Sequence, residues 1–292
     1  MKITLKQLRI FCSIYRLGST TLASEELALS QSAVSNALNT LEQSLNHPLF
    51  ERDGKKLVRN AAAKKLYPQA HSILKQVYDI EDNFTKGVSK LIIGASTTIG
   101  NYLLPQQISA FTQQYPQIEI ELHVHNTKEI CEGVKHFDYD WGFIEGENQL
   151  EELVAEKWLE DELTLFAATQ SRWLNQDIHD LTLAQLNQLP LVLREKGSGT
   201  RETVEHLILS HLSQPTVLQL SHSEAIRQAV IHDFGIGCLS KLVLNDAFRL
   251  EKIRYLSLQG KTLTRQLWQI HHRNKHISAE LDLFIQYCQK VR

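Results

Sequence analysis

The periodicity of the chain changes at Gly87, and that change sets what it can fold into. Upstream, apolar residues recur at helical spacing between short polar breaks; downstream, short apolar runs of strand character alternate with helical stretches. One architecture does not produce both textures. The 292 residues therefore divide into a small helical module and a larger α/β region, a length that suits about two domains.

The first sixty residues predict three short helices. Leu5, Leu8, Phe11, Cys12 and Tyr15 mark the first, which ends at Gly18, where a C-cap belongs. After a polar turn at 19–21, a second helix over about 21–28 turns Ala23 and Leu27 inward, and Ser30 is placed to cap a third, from Gln31 to about Leu45. Two short helices joined by a tight turn suggest a helix-turn-helix. In the third helix Val34, Leu38, Leu41 and Leu45 share one face, while Gln31, Ser32, Ser35, Asn36 and Asn39 share the other. Short, uncharged polar groups on an outward face suit hydrogen bonding to base edges in a major groove. Residues 47–59 then read as a winged hairpin tipped by Gly54, with Arg52, Lys55, Lys56 and Arg59 available to backbone phosphates.

Charge agrees with this division. Cut at residue 90, the first part carries 13 Lys and Arg against 8 Asp and Glu, and the remainder 18 against 25; a chain of net charge −2 thus hides parts of +5 and −7. A basic module joined to an acidic domain is what polyanion binding requires, since phosphate contacts need local positive charge. Between the parts, Leu66, Ala70, Ile73, Val77, Ile80 and Phe84 form a seam of period 3.5, the pattern of a dimerisation helix. Pro68 predicts that this helix starts late or kinks. Two-fold pairing would put two recognition helices on one face of DNA.

In the second region, strand-like runs at 90–95, 117–125, 140–144, 163–168, 189–193 and 235–239 alternate with helical segments and predict α/β with mostly parallel sheets. Cys12, Cys131, Cys238 and Cys288 are too scattered for a CxxC or zinc spacing and read as reduced, mostly buried thiols. His123 and His125, or His271, His272 and His276, complete no metal set, so neither metal nor cofactor is expected. No apolar run approaches the ~18 residues of a membrane span, and the N-terminus lacks signal-peptide character, which places the chain in the cytoplasm.

Three segments of the acidic region are suited to a small anion. Ser96, Thr97 and Thr98 follow a strand and open a helix, offering hydroxyls and unpaired N–H groups at its positive end. Residues 194–201, Arg-Glu-Lys-Gly-Ser-Gly-Thr-Arg, end a strand in a glycine-bracketed turn that enters another helix, the form of an anion nest. His222 and Ser223 open a third helix.

The run from Ala23 to Ser35 (ASEELALSQSAVS), Leu41-Glu42 and Leu49-Phe50-Glu51-Arg52 resemble a LysR-type transcriptional regulator, and the resemblance spans the chain. It implies a winged helix-turn-helix over 1–60, a linker helix over 61–87 and an effector-binding domain over 88–292. That domain would consist of two Rossmann-like subdomains resembling periplasmic binding proteins, one of about 88–163 with 267–292 and the other of about 164–266. It also implies an effector held between them and tetramers built as dimers of dimers. Ser24 and Asn36 depart from the family pattern, the second removing an expected cation, and Asn60 replaces the usual entry to the linker helix as its cap. Gly142-Phe143-Ile144-Glu145-Gly146 and the 194–201 turn look like the CysL/YeiE/CbbR-like subgroup of sulfur-assimilation and Calvin-cycle regulators, whose effectors are small anions such as sulfite or phosphorylated metabolites. The resemblance makes Arg194 the charge-pairing residue, Thr98, Ser198 and Thr200 hydroxyl donors, and Glu145 the group that holds an arginine or a protonated ligand. Ser96, Thr97, Arg201, His222 and Ser223 complete the candidate set.

The sequence thus reads as a DNA-binding regulator controlled by a small anion. A solute-binding protein, suggested by residues 91–292 alone, and an enzyme on a Rossmann-like scaffold are the rivals. The first needs a secretion signal and the second a GxGxxG or an acid–base constellation; neither accounts for residues 1–86.

Overall fold

A computed structural model describes residues 2–53, 56–85, 88–146, 150–213 and 215–290. The chain forms two compact units, Met1–Ser89 with Asn274–Ile277, and Lys90–Arg273 with Ser278–Arg292.

The first unit runs α1 (Leu5–Leu17), α2 (Thr20–Leu27), α3 (Gln31–Leu45), β1 (Phe50–Asp53), β2 (Lys56–Arg59) and α4 (Ala61–Thr85). Local chemistry sets its boundaries. Thr4 and Gln7 form a capping box at the start of α1, which Gly18 ends in the left-handed region at φ 65°. Ser19 caps α2, and Ser30 caps α3 by accepting from the Ala33 N–H at 3.2 Å. Val34, Leu38 and Leu41 of α3 are buried, and at roughly 1.5–3 kcal/mol per buried side chain they fix the helix's rotation and so which face points out. β1 and β2 pair antiparallel, Phe50 opposite Arg59.

Asn60 caps α4 through the Ala63 N–H at 2.9 Å, as its position in the sequence suggested. The helix does not start late. It begins at Ala61 and contains Pro68. The proline leaves the Lys64 carbonyl without its helical partner, a loss offset by the burial of Ala63, Tyr67, Ala70 and Leu74 around it. Tyr67 stacks on Tyr15 of α1 with ring centroids 3.9 Å apart.

The second unit continues with β3 (Ser89–Ser96), α5 (Thr97–Tyr102), α6 (Leu104–Gln114), β4 (Ile118–His125), α7 (Thr127–Lys135), β5 (Trp141–Glu145), β6 (Leu153–Ala168), β7 (Asp180–Leu181), α8 (Leu183–Leu186) and β8 (Leu191–Arg194). It ends with α9 (Gly199–Leu207), β9 (Val217–Leu220), α10 (Ser223–Ile231), β10 (Ile236–Ser240), α11 (Lys241–Arg249), β11 (Ile253–Leu258), β12 (Leu263–His272) and α12 (Ala279–Lys290). Along the sheet the order is β4-β3-β5-β12-β6-β10-β8-β9. Pairs β3–β5, β8–β9 and β8–β10 are parallel, but β12 pairs antiparallel with β5 and β6, and β6 antiparallel with β10 and β11. The sheet is mixed, which corrects the expectation of mostly parallel sheets. The strand expected at 163–168 is the second half of the 16-residue β6.

Separate cores lie at the two ends of this sheet. One gathers Ile93, Ile99, Phe111, Trp141, Phe143 and Phe284; another gathers Leu165, Leu191, Leu193, Val204, Ile208 and Ile236. The long strands β6 and β12 run between them. The carboxyl ends of β3, β5 and β8 therefore face one region, where α5 and α9 begin; in open α/β sheets ligands bind at such places.

Candidate functional site

In the first unit, burial of Val34, Leu38 and Leu41 leaves Gln31, Ser32, Asn36 and Asn39 exposed and Ser35 half-buried. The hydroxyls of Ser30 and Ser32 lie 3.0 Å apart. Glu42 accepts from the Leu49 N–H at 2.6 Å, tying α3 to the hairpin and giving the Leu-Glu and Leu-Phe-x-Arg spacing a structural role. Arg52 and Lys56 stand exposed on β1 and β2. Arg59 donates to the Tyr15 and Arg16 carbonyls at 2.7 and 3.1 Å and lies 4.7 Å over the Tyr15 ring, closing the C-terminal end of α1. Lys55 lies outside the described residues.

In the second unit, the candidate effector residues gather in two groups. In the first, Arg194 at the end of β8 is 2% exposed. Its Nη2 donates to Thr97 Oγ1 at 3.2 Å and its Nη1 to Ser223 Oγ at 3.1 Å, joining residues that open α5 and α10. The adjacent Glu195 accepts from Nε at 2.8 Å and Nη2 at 2.9 Å. His222 is exposed beside Ser223.

The second group surrounds a residue that sequence reasoning missed, Arg265 of β12, itself buried. Its Nη1 donates to Glu145 Oε2 at 2.6 Å and to Thr200 Oγ1 at 2.8 Å, its Nη2 to Thr98 Oγ1 at 3.2 Å, and its Nε to Asp161 Oδ2 at 2.8 Å. Glu145 further accepts from the Thr98 N–H at 2.7 Å, Ser96 Oγ at 3.1 Å and Thr200 Oγ1 at 2.8 Å; Ser240 donates to Asp161 at 2.6 Å. Burial alone would raise the Glu145 carboxyl, but the Arg265 charge and the bonds from Thr200 and Thr98 more than offset it and hold it at about 2. The arginine paired with Glu145 is Arg265. The hydroxyls of Ser96, Thr98 and Thr200 are turned into this network and each of these residues is at most 1% exposed.

The turn between β8 and α9 is fastened to α7. The Lys128 N–H donates to the Gly197 carbonyl at 3.1 Å and the Gly199 N–H to Thr127 Oγ1 at 3.2 Å, while Thr127 donates to the Glu145 carbonyl at 3.0 Å. Beside this turn lies a crevice of about 530 Å³ lined by Thr127, Lys128, Cys131, Lys196, Gly197 and Arg201, among others. Arg201 Nε donates to Glu205 at 2.7 Å, and its Nη1 is buried with no partner among the described residues. Ser198 is 2% exposed and caps α9 without a side-chain hydrogen bond.

Gly199 is required here by close approach: an added Cβ would sit inside van der Waals contact of the Glu145 carbonyl. Gly199→Ala is expected to cost about 1–3 kcal/mol or more, measured by urea unfolding.

All four cysteines are buried and unpaired, and burial pushes each thiol up to about 12, leaving little thiolate at neutral pH. Among the described residues, no helix is long and apolar enough to cross a membrane.

Comparison with known proteins decides the family. Residues 5–64 match the bacterial regulatory helix-turn-helix protein, lysR family, and residues 87–292 match the LysR substrate binding domain. The chain belongs to the LysR family. This LysR-family chain is a DNA-binding transcriptional regulator with a C-terminal effector-binding domain. It is 46% identical over 289 residues to the HTH-type transcriptional regulator YeiE of Escherichia coli, covering 99% of this chain and 98% of YeiE. It is 29% identical over 286 residues to CysL of Bacillus subtilis, covering 95% and 94%. Among solved structures, the Synechocystis CcmR regulatory domain in complex with 2-PG superposes with a TM-score of 0.64 at 26% identity, covering 70% of this chain and 97% of that one. YeiE and CysL are among the proteins to which the 142–146 strand end and the glycine-bracketed turn pointed.

Proposed function

We propose that this regulator senses a small oxyanion through Arg194, with Thr97 and Ser223 as its hydroxyl partners and Arg201, Ser198 and His222 at the edge of the site. The observation that carries this reading is the buried guanidinium of Arg194, held between residues that open α5 and α10. A buried, oriented arginine among hydroxyls suits planar or tetrahedral oxyanions. The CcmR complex with 2-PG supports a small ligand in a domain of this kind. In this reading Ser96, Thr98, Thr200 and Glu145 support the site from behind through Arg265.

The polar face of α3 reads bases, and Arg52, Lys55 and Lys56 of the wing contact phosphates, with Arg59 bracing the wing against α1. Residues 61–87 act as the linker through which two copies pair, and residues 88–292 form the effector domain, divided near 163 and 267. Effector binding favours one arrangement of the two halves and so changes how paired winged helices engage promoter DNA. The sequence carries no nucleophile elbow or acid–base constellation, so the protein acts as a regulator and not as an enzyme, in the cytoplasm where its DNA lies.

The test is thermal stability of the full chain against sulfite, sulfate, thiosulfate and phosphorylated metabolites. A native-state ligand at a hundred times its Kd adds about 2.7 kcal/mol, a rise of roughly 5 °C or more. A selective rise, absent in Arg194→Ala, is the expected result; the same rise in that variant removes Arg194 from the site.

A further inference from the structure

Resting on the reading of Arg194 as the anion-binding group, we propose that Glu195 is a built-in counter-anion of this site, which the effector must displace. Glu195 thereby sets both the affinity and the charge class of the effector.

An arginine has five N–H donors in a planar fork. In Arg194, Nε and one Nη2 hydrogen go to the two carboxylate oxygens of Glu195 at 2.8 and 2.9 Å. The other Nη2 hydrogen goes to Thr97 and one Nη1 hydrogen to Ser223. The edge of the guanidinium that best grips an oxyanion is therefore occupied by a carboxylate of the same chain, in the bidentate geometry an effector would take. The two partners are not equally buried. The Arg194 side chain is 2% exposed and that of Glu195 17%, so Glu195 is the member of the pair that can swing to solvent. Being the next residue in the chain, it returns at once when the anion leaves.

Exchange at Arg194 also has a path outward. Glu195 begins the turn that Ser198 closes through its N–H to the Glu195 carbonyl, at 3.3 Å. In the same turn Gly197, in the left-handed region at φ 91°, accepts from the Lys128 N–H of α7. Releasing the Glu195 side chain loosens a turn on which the contact to α7 depends. The effector class follows as well. A monocarboxylate offers Arg194 nothing that Glu195 does not already supply, whereas a doubly charged oxyanion such as sulfite, sulfate or a phosphate ester offers more charge and a third oxygen for Thr97 or Ser223.

Calorimetric titration of the full chain with sulfate, inorganic phosphate and acetate tests this. Glu195→Gln is expected to bind sulfate or phosphate at least tenfold more tightly than the native protein, and to bind acetate, which the native protein does not. Adding Arg194→Gln to that variant is expected to abolish all binding. Glu195→Ala, should Glu195→Gln fold poorly, is expected to show the same order. Unchanged or weaker anion binding in the Glu195 variants, with binding still dependent on Arg194, overturns the counter-anion and leaves the Arg194 site standing. Binding that survives Arg194→Gln overturns the Arg194 site and the counter-anion with it, and so does a Glu195 variant that binds none of the three anions.

Discussion

Replacing Arg265 by methionine is expected to lower stability by about 3–5 kcal/mol. The residue is 6% exposed and bonds two carboxylates, Glu145 and Asp161, that are themselves 1% and 5% exposed. Removing the cation leaves both acids buried without their counter-charge. Urea unfolding of the native and variant chains measures the difference, and its pH dependence tests the cause. In the native protein the Glu145 carboxyl lies at about 2, below its ordinary 4.5. Its ionised form is favoured by folding, so its contribution is complete above pH 4.5 and is lost as pH falls from there through about 2. In Arg265→Met the largest effect opposing burial is gone and only the hydrogen bonds from Thr200 and Thr98 remain against it, so that carboxyl rises from its native position. The acid-side loss then shrinks, and the variant's stability falls less steeply than the native protein's as pH drops from 4.5 toward 2. Replacing all three charged residues by apolar ones of similar size is expected to recover much of the loss. A variant that loses less than 1 kcal/mol, or keeps the native slope, would show that the cluster is not held by its arginine.

That Arg265 and Asp161 escaped sequence reading, while Glu145, Ser96, Thr98 and Thr200 did not, has a physical cause. The inward positions of β12 include Leu263, Arg265, Leu267 and Gln269, so polar side chains sit where a half-buried strand should be apolar and the alternation is hidden. The middle of β6 is equally charged, and Asp161 is buried within it. Polar groups at inward positions of strands that cross between two cores are the available signal, and it emerges only once the pairing of β6 with β12 is known. By contrast, Ser30, Asn60 and Gly18 were legible because capping is decided by a few neighbouring atoms, and the two faces of α3 because 3.6-residue periodicity is local. Arg194 and Ser223 were legible as strand-end and helix-start residues, but not their contact with each other or the occupation of Arg194 by Glu195, which depend on tertiary geometry. The late start suggested by Pro68 failed for the opposite reason: a rule about isolated helices was overridden by packing against α1.

Charged substitutions at the end of the linker helix, Ile80→Asp and Phe84→Asp, are expected to convert the protein from its self-associated form to a weaker or monomeric one, and to lower its affinity for a two-half-site operator by about 10²–10⁴. The seam proposed for pairing is used unevenly within the chain. In its first half Ala70 is buried and Leu66 half-buried, beside Ala63, Tyr67 and Leu74, which lie off the seam and are buried in the unit that contains α1. Further along, Ile73 is 44% exposed, Ile80 59% and Phe84 89%. A helix of 25 residues, about 37 Å long, thus carries one end of its apolar seam uncovered. Large apolar side chains on one helical line, uncovered by their own chain, mark an interaction surface, and a second copy of the same helix offers the matching period. A carboxylate at either position must stay hydrated, so pairing would bury it at a cost greater than the contact it replaces. Loss of pairing turns simultaneous engagement of two half-sites into two independent weak events, while binding to a single half-site, which in the proposed reading falls to α3 and the wing, is expected to stay near its native level. Sedimentation equilibrium and gel-shift titrations on one- and two-half-site DNA measure both effects. A double variant that remains fully associated and binds the two-half-site operator with native affinity would exclude this seam as the element that holds two recognition helices together.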